Sequence, residues 1–448
     1  MRKLNMKIYI LLICLVLISS VFLLSGCSSS KNLPETNESA PPVVKQEVNA
    51  LTFYDWWTSA SESAAINSLI KVFTDKYPST AVMPTPVVGG AGYTMIEVIK
   101  PLVLAGEAPD AFQMHAGYEA KPYFDAGLLE PIDDIWQSEN LENVIPVVIR
   151  DMCKFDGHYY AVPVDVHRSN VVWYNKPLLE KNNIDPNSIK TWDDFFAACD
   201  KLKSAGVKYP IQIGETWTAS HVFEQILASQ GIDFYQDVVN GKVTSASDPR
   251  LVKSFEIFQK YLSYTNPDAS GNTWDVATKR IIKGESAFNI MGDWANGEFK
   301  IVGMVYGQDY GSFAVPGTSN MYGLVVDTFQ HPKGVLHPTN SDNWLRVVVS
   351  KDGQDAFNPQ KGSISVRSDS DISKYDAYQQ SAIADFKNVT YMYPSMVHGS
   401  GAPGSFLLKL NEVIAAYVND LDAVKAATAL TEETKNISSQ YTKVWYLK

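Results

Sequence analysis

The sequence predicts an α/β protein with two lobes, and three observations support this prediction. Strand-like and helix-like apolar patterns alternate along most of the chain, as they do in β-α-β units around a parallel sheet. The chain has 448 residues, whereas one domain usually holds ~100–200 residues. No repeat with a period of ~20–50 residues is visible, which argues against a solenoid or a propeller.

The alternation is clearest near the start of the globular part. Strands are predicted at 50–54, 81–88 and 111–113, and helices at 61–76 and 94–105. In the first of these helices, Ile66, Leu69, Ile70 and Phe73 have the spacing of one apolar helix face.

The remaining chain continues the pattern. Further strands are predicted at 159–163, 170–174, 209–213 and 287–291, and further helices at 191–205, 221–230 and 249–264. Thr191 is the expected N-cap of its helix, and Gly206 is expected to close it. The last hundred residues are predicted to be mostly helical. Turn-rich segments near Pro163 and Tyr322 are the expected crossings between the lobes.

The first 27 residues have the layout of an export signal. Arg2, Lys3 and Lys7 precede an apolar run over 8–24, and Leu-Ser-Gly-Cys ends at Cys27. This resembles the bacterial lipobox, whose cysteine is acylated with palmitate or a similar chain; an ordinary cleaved signal or a membrane anchor is the alternative. We therefore expect a signal peptide over 1–26, lipid attachment at Cys27, a flexible tether over 27–48, and a location on the extracellular face of the cell membrane.

Composition excludes several classes of protein. The signal carries three basic and no acidic side chains, so its removal changes the formal net charge from −11 to −14. Such an acidic extracellular protein is not expected to bind nucleic acid or anionic lipid surfaces. Cys153 and Cys199 are better explained as buried free thiols than as a disulfide. No cluster of His and Cys has ligand spacing, so we expect neither a metal nor a cofactor.

Catalytic and nucleotide-binding motifs are also missing from the sequence. Gly399-Ser-Gly401 has the wrong spacing for a nucleophile elbow. Gly89-Gly-Ala-Gly92 lacks the Lys-Ser/Thr ending of a Walker A loop and the third glycine of a dinucleotide motif. We interpret this glycine cluster as a tight turn that lets the backbone approach a ligand or a neighbouring strand.

Aromatic and polar residues follow predicted strands, at the position where ligands bind in α/β sheets. Trp56 and Trp57 follow the first strand, and Gln113 and His115 share one face at the end of the third. Indole can cover the apolar face of a hexose, while amides, carboxylates and imidazoles bond its hydroxyls. Asp165, His167 and Arg168 follow the strand that ends at Pro163, where ion pairing between lobes is the alternative interpretation.

Five motifs in order identify a family resemblance. They are DAFQMHAG (110–117), VPVDVHRSN (162–170), AFNIMGDWA (287–295), AFNPQKGSI (356–364) and VHGSGAP (397–403). They resemble the extracellular solute-binding proteins of bacterial ABC sugar importers, and the glucose/galactose-type branch in particular. The likeness runs from about residue 51 to the C-terminal helices.

The resemblance implies a periplasmic-binding-protein-like fold in which two α/β lobes, joined by hinge strands, hold one sugar in a cleft. The lobes would comprise 49–162 with 324–370, and 163–323 with 371–448. The residues that match family site positions are Trp56, Trp57, Gln113, His115, His167, Trp274, Trp294, Asp327, Lys361 and His398. The implied partners are a monosaccharide such as glucose or galactose and the permease subunits of an ABC importer, with the receptor itself a monomer and not an enzyme.

Two positions depart from the family pattern. Asp165 stands where the branch usually has Asn, so it either bonds a sugar hydroxyl or pairs with Arg168. Glu62 follows Trp57 about one position later than expected, so it either bonds the sugar or stabilises a helix start. Two alternatives for the function remain. One is an extracellular glycoside hydrolase with carboxylates among Glu62, Asp165 and Asp327, and the other is a sugar sensor for a membrane kinase.

Overall fold

The computed structural model describes residues 49–437, and the predicted signal, Cys27 and tether lie outside them. The strands are β1 (Ala50–Asp55), β2 (Ala81–Pro86), β3 (Ala111–His115), β4 (Lys154–Phe155), β5 (His158–Tyr159), β6 (Ala161–Pro163), β7 (His167–Arg168), β8 (Val171–Asn175), β9 (Phe288–Ile290), β10 (Tyr310–Ala314), β11 (Met321–Val325), β12 (Asp327–Gln330) and β13 (Tyr391–Pro394).

Helices occupy most of the remaining chain. They are α1 (Ala60–Lys76), α2 (Tyr93–Ala105), α3 (Lys121–Asp125), α4 (Asp133–Ser138), α5 (Val147–Met152), α6 (Lys176–Lys181), α7 (Trp192–Ser204), α8 (Thr216–Ser229), α9 (Ile232–Val239), α10 (Pro249–Leu262), α11 (Trp274–Ile282), α12 (Ala295–Ile301), α13 (Pro338–Val349), α14 (Lys351–Lys361), α15 (Ala377–Asn388), α16 (Gly404–Asp420) and α17 (Ala423–Ile437). Within the described range, no helix is both long and apolar enough to cross a membrane.

The first sheet has the strand order β2-β1-β3-β12-β6. Strands β1, β2 and β3 are parallel, as predicted, because helices α1 and α2 supply the crossovers that parallel pairing needs. Strand β12, however, is antiparallel to both β3 and β6, so the sheet is mixed and its parallel part is confined to β1, β2 and β3. The chain enters β12 directly from β11 across the single residue Val326, without a crossover helix.

Two further sheets have three strands each, with the orders β10-β8-β9 and β13-β11-β7, and β4 and β5 form a two-stranded sheet. The chain passes from β6 to β7 and from β11 to β12, and each of these two segments therefore belongs to the first and the third sheet. They run side by side, because β6 pairs with β12 and β7 pairs with β11. These segments lie near Pro163 and Tyr322, where the sequence predicts crossings between the lobes.

The predicted strand at 209–213 is wrong. Only Ile211 forms bridges, to Thr265 and Phe288, and no continuous ladder develops. Pro210 explains this failure, since proline has no N–H to donate; its carbonyl instead accepts from Ala287 and Phe288.

The buried apolar side chains form two cores. In the first, Phe53 of β1 stacks on Trp344 of α13 with ring centroids 4.7 Å apart, and Cys153 belongs to this core. The second contains Phe223 and Phe258 around α8 and α10, together with Cys199. Both cysteines are buried free thiols, in separate cores, as the sequence favoured.

Candidate functional site

A cavity of about 60 Å³ lies at one edge of the first sheet. Strands β1 and β3 end at this edge. Strand β12 begins there because it is antiparallel to β3, and its first residue, Asp327, lies opposite His115. Strand β6 is also antiparallel to β12, so the segment that follows it, with Asp165 and His167, emerges at the same edge. Strand direction therefore gathers polar residues that are distant in sequence.

Most of the predicted site residues line this cavity. Those that do are Trp56, Glu62, His115, His167, Trp274, Trp294, Asp327, Lys361 and His398. Trp57, Gln113 and Asp165 do not line it; they lie behind the lining residues and support them.

The side chains of the two adjacent tryptophans point to opposite sides of the chain, as extended backbone requires. The Trp56 ring lies against the cavity, 4.8 Å from the His115 ring. Trp57 points the other way and is 1% exposed, with its ring centroid 4.8 Å from that of Phe357. Gln113 is covered by Trp56, whose backbone N–H donates to its Oε1 at 3.1 Å. Gln113 therefore positions Trp56 and does not face the cavity.

The opposite wall comes from the segments around α11 and α12 and from the loop after β13. Trp274 begins α11, Trp294 directly precedes α12, and the His398 ring lies 5.0 Å from the Trp294 ring. A buried carboxylate holds the His398 loop: Glu224 accepts the Met396 N–H at 2.6 Å and the Ser395 hydroxyl at 2.7 Å.

Some lining residues were not found from the sequence. Among these are Val88, Glu215, Trp217, Thr273 and Asp275. Residues 89–91 of the glycine cluster also line the cavity, in agreement with the interpretation that this turn approaches a ligand. Trp217 follows the segment around Ile211, so the same rule that selected Trp56, a tryptophan just after a predicted strand, could have found it. Thr273 and Asp275 flank the predicted Trp274.

One ion pair on the cavity wall is fully buried. Lys361 Nζ, at the end of α14, lies 3.2 Å from Glu62 Oε1. Burial alone would lower the pKa of Lys361, but the Glu62 carboxylate and nearby aspartates raise it, so the ammonium persists. Glu62 also completes a capping box with Ser59 at the start of α1, because its Oε2 accepts the Ser59 N–H at 3.1 Å. Glu62 therefore caps the start of α1 and also lines the cavity. The two interpretations left open by the sequence are compatible with each other.

The His115 imidazole lies between two carboxylates. Its Nδ1 is 3.1 Å from Glu119, and its Nε2 is 3.5 Å from Asp327 Oδ1. Although burial lowers the pKa of His115, Glu119 and Asp327 raise it by more. For Asp327 itself, burial and the neighbouring Asp165 raise the pKa to about 7. The cavity wall therefore contains a carboxyl group, that of Asp327, that changes protonation near neutral pH.

His167 is held from both sides. Its Nδ1 bonds the Asp293 carboxylate, and its Nε2 lies 3.2 Å from Asp165 Oδ2. Asp165 also accepts the backbone N–H of Asp327 at 3.0 Å. Arg168 pairs instead with Asp385, so Asp165 is a partner of His167 and not of Arg168. Asp165 thus orients two lining residues without lining the cavity.

His398 differs from the other two histidines of the wall. Burial and the nearby His115 and His221 hold the pKa of His398 well below its usual range. Its Nε2 lies 3.2 Å from Nδ1 of His221, whose own pKa is lowered to about 4 by burial. A neutral imidazole both donates and accepts, which suits a ligand hydroxyl.

Asp165, His167 and Asp327 are also the one group in the described range whose geometry would suit a metal ion. Their ligand atoms all lie within 4.8 Å of one another. Burial lowers the pKa of His167, but Asp165 and Asp293 raise it to about 9. An imidazolium has no free lone pair for a metal, so a metal ion at this group would first have to displace the proton of His167.

The family model for bacterial extracellular solute-binding proteins matches residues 40–355. An uncharacterized ABC transporter extracellular-binding protein of Pyrococcus horikoshii is 43% identical over 428 residues, which cover 94% of this chain and 95% of the relative. A "probable sugar-binding periplasmic protein" of Brucella suis is 31% identical over 406 residues, which cover 88% of this chain and 95% of the relative.

A solved structure gives the same fold. The bacterial solute receptor AcbH, described as having an exclusive preference for β-D-galactopyranose, superimposes with a TM-score of 0.76 at 19% identity. The match covers 88% of this chain and 100% of that one. The predicted periplasmic-binding-protein-like fold is confirmed, and the matched proteins are receptors, not hydrolases. The chain belongs to the bacterial extracellular solute-binding protein family.

Proposed function

We propose that this protein is a sugar receptor that delivers a monosaccharide of the glucose or galactose type to an ABC importer. The observation that carries this proposal is the composition of the cavity wall. The cavity is lined by Trp56, Trp274 and Trp294 together with the buried polar groups of Asp327 and Lys361. Few ligands other than sugar rings need both indole faces and a dense set of charged hydrogen-bonding groups.

The proposed mechanism is hinge closure. Residues 49–162 with 324–370 would move against 163–323 with 371–448, and the crossings β6–β7 and β11–β12 would act as the hinge. The sugar touches residues of both lobes only in the closed form, so binding shifts the population toward closure. The closed monomer would then dock on the permease, and a separate subunit would hydrolyse ATP.

The relatives support the solute class. The Brucella suis protein is named for sugar binding and the Pyrococcus horikoshii protein for ABC transport, and each is matched over most of its length. Retention at the membrane would depend on Cys27. A Cys27→Ala variant is expected to appear in the culture medium, whereas the parent protein remains with the cells.

The decisive experiment is isothermal titration of the purified ectodomain with a panel of mono- and disaccharides. We expect saturable heat with glucose or galactose and a decrease in the radius of gyration on binding. Labelled oligosaccharides should remain intact. The absence of binding to every saccharide in the panel would refute the proposal, and steady turnover would restore the hydrolase alternative.

A further inference from the structure

The glycine cluster of the β2–α2 connection closes on a tryptophan from α8. A Cβ atom placed on Gly90 would lie 2.3 Å from Nε1 of Trp217 and within 2.8 Å of two further atoms of its ring. Gly90 does not have a positive φ, in contrast to Gly89 and Gly92, so its backbone could accept other residues. The contact with Trp217 is therefore what requires glycine at this position.

This contact lies at the mouth of the cavity. Beside it in the lining, Val88 is 70% exposed and Glu215 is half-buried, while on the floor His167 is 1% exposed. The Trp217 indole is fixed in orientation, because its Nε1 donates to Glu215 Oε1 at 2.8 Å. A rigid ring thus meets the glycine backbone where a longer ligand would have to leave.

The space inside the cavity is small, although the cavity is partly open to solvent. A cavity of about 60 Å³ has room for roughly four to six water molecules. That is close to the space displaced by one pyranose ring, and too little for two linked rings. The second ring of an oligosaccharide would have to project past the exposed lining residues, such as Val88 and Thr273, beside the contact of Gly90 with Trp217.

We propose that Trp217, by closing on Gly90, limits the ligand to a single sugar ring and is a specificity-determining residue of this receptor. The proposal rests on the sugar-receptor function and adds the residue that restricts the ligand to single rings. Trp217 also packs in a different core from the other buried apolar residues of its helix. The other buried apolar residues of α8 belong to the second core, but Trp217 packs with the first. Trp217 therefore links a helix of the second core to the first core.

The test compares Trp217→Ala with the parent protein by titration against glucose, galactose, maltose, cellobiose and lactose. We expect the variant to gain measurable affinity for at least one disaccharide, by about tenfold or more, and to lose affinity for the single rings. Trp217→Phe keeps an aromatic core contact but shortens the ring. It is expected to behave in the same direction, and it replaces the alanine variant if that one does not fold.

A second arm tests the contact itself. Gly90→Ala should weaken monosaccharide binding by about tenfold in the parent but have little effect in the Trp217→Ala background, because the clashing atoms are gone. Gly404→Ala is the matched control. This glycine also lacks a positive φ and has open space around its Cβ position. Its replacement should therefore change neither the affinity for monosaccharides nor that for disaccharides.

The outcomes separate this inference from the proposed function. If the parent binds no saccharide, the receptor function fails. If the parent binds single rings and both Trp217 variants keep the same exclusion of disaccharides, the receptor function stands and the inference is overturned. Equal effects of Gly90→Ala in the two backgrounds would also overturn it.

Discussion

Replacement of Lys361 by Met separates a ligand-binding lysine from a structural one. Because Lys361 matches a site position of the family, the sequence predicts that its replacement weakens sugar binding and leaves stability almost unchanged. In the structure Lys361 is buried and lies 3.2 Å from Glu62. Its removal would leave a buried carboxylate without its counter-ion, which usually costs about 3–5 kcal/mol.

The size of the expected shift follows from the length of the chain. The entropy of unfolding is about 2.1 cal/mol/K per residue, or about 0.8 kcal/mol/K for about 400 residues, so the loss corresponds to about 4–6 °C in Tm. The assay is thermal and urea unfolding of the ligand-free protein. The double variant Glu62→Gln with Lys361→Met should recover most of the loss, because Gln keeps the capping box while removing the charge.

An exposed pair provides the control. Lys71 and Asp75 are 72% and 65% exposed and lie 2.8 Å apart, and Lys71→Met should cost no more than about 0.5 kcal/mol. If Lys361→Met unfolds at the same midpoint as the parent, the buried pair does not stabilise the fold. If the double variant is no more stable than Lys361→Met, an unpaired Glu62 is not the reason for the loss.

Three further predictions concern the site and its supports. Trp294→Ala should weaken sugar binding by about 1–3 kcal/mol in calorimetry, because stacking area is lost, whereas Trp57→Ala should mainly reduce the free energy of unfolding, by about 3–5 kcal/mol. Burial raises the pKa of Glu224 from 4.5 to about 7. The folded state therefore holds this proton longer, so stability should fall by roughly 3 kcal/mol as the pH rises from about 4.5 to about 7, and Glu224→Gln should remove that slope in urea unfolding curves. Asp165→Asn should lower the pKa of His167 from about 9, as measured by NMR titration, because a charge that raises it is lost.

Each of these predictions has a contrary result. Unchanged affinity in Trp294→Ala would remove that residue from the site, and weakened binding at full stability in Trp57→Ala would place Trp57 in it. A pH slope that persists in Glu224→Gln would assign the titration to another group. An unchanged pKa of His167 in Asp165→Asn would mean that Asp165 does not pair with it in solution.

The local pattern of the sequence determined most of the elements. Thr191 is the N-cap of α7, as predicted, and its side chain accepts the Asp194 N–H in a capping box. Helix α8 begins at Thr216, five residues before the prediction, because Trp217 to Ser220 are buried by tertiary packing that a 3.6-residue period does not show. Local propensity and apolar spacing act over a few residues. They therefore predict that a helix or strand is present better than they predict the residues at which it begins and ends.

The sequence also determined which residue types would gather at strand ends. Only the tertiary structure decided how they meet. The antiparallel entry of β12 places Asp327 opposite His115, and α14 places Lys361 beside Glu62, 299 positions away in the chain. Likewise, the sequence showed that Trp56 and Trp57 face opposite sides, but only packing against Phe357 decided that Trp57 is the one turned away from the cavity. Strand order and long-range packing depend on the whole chain, so no window of sequence contains them.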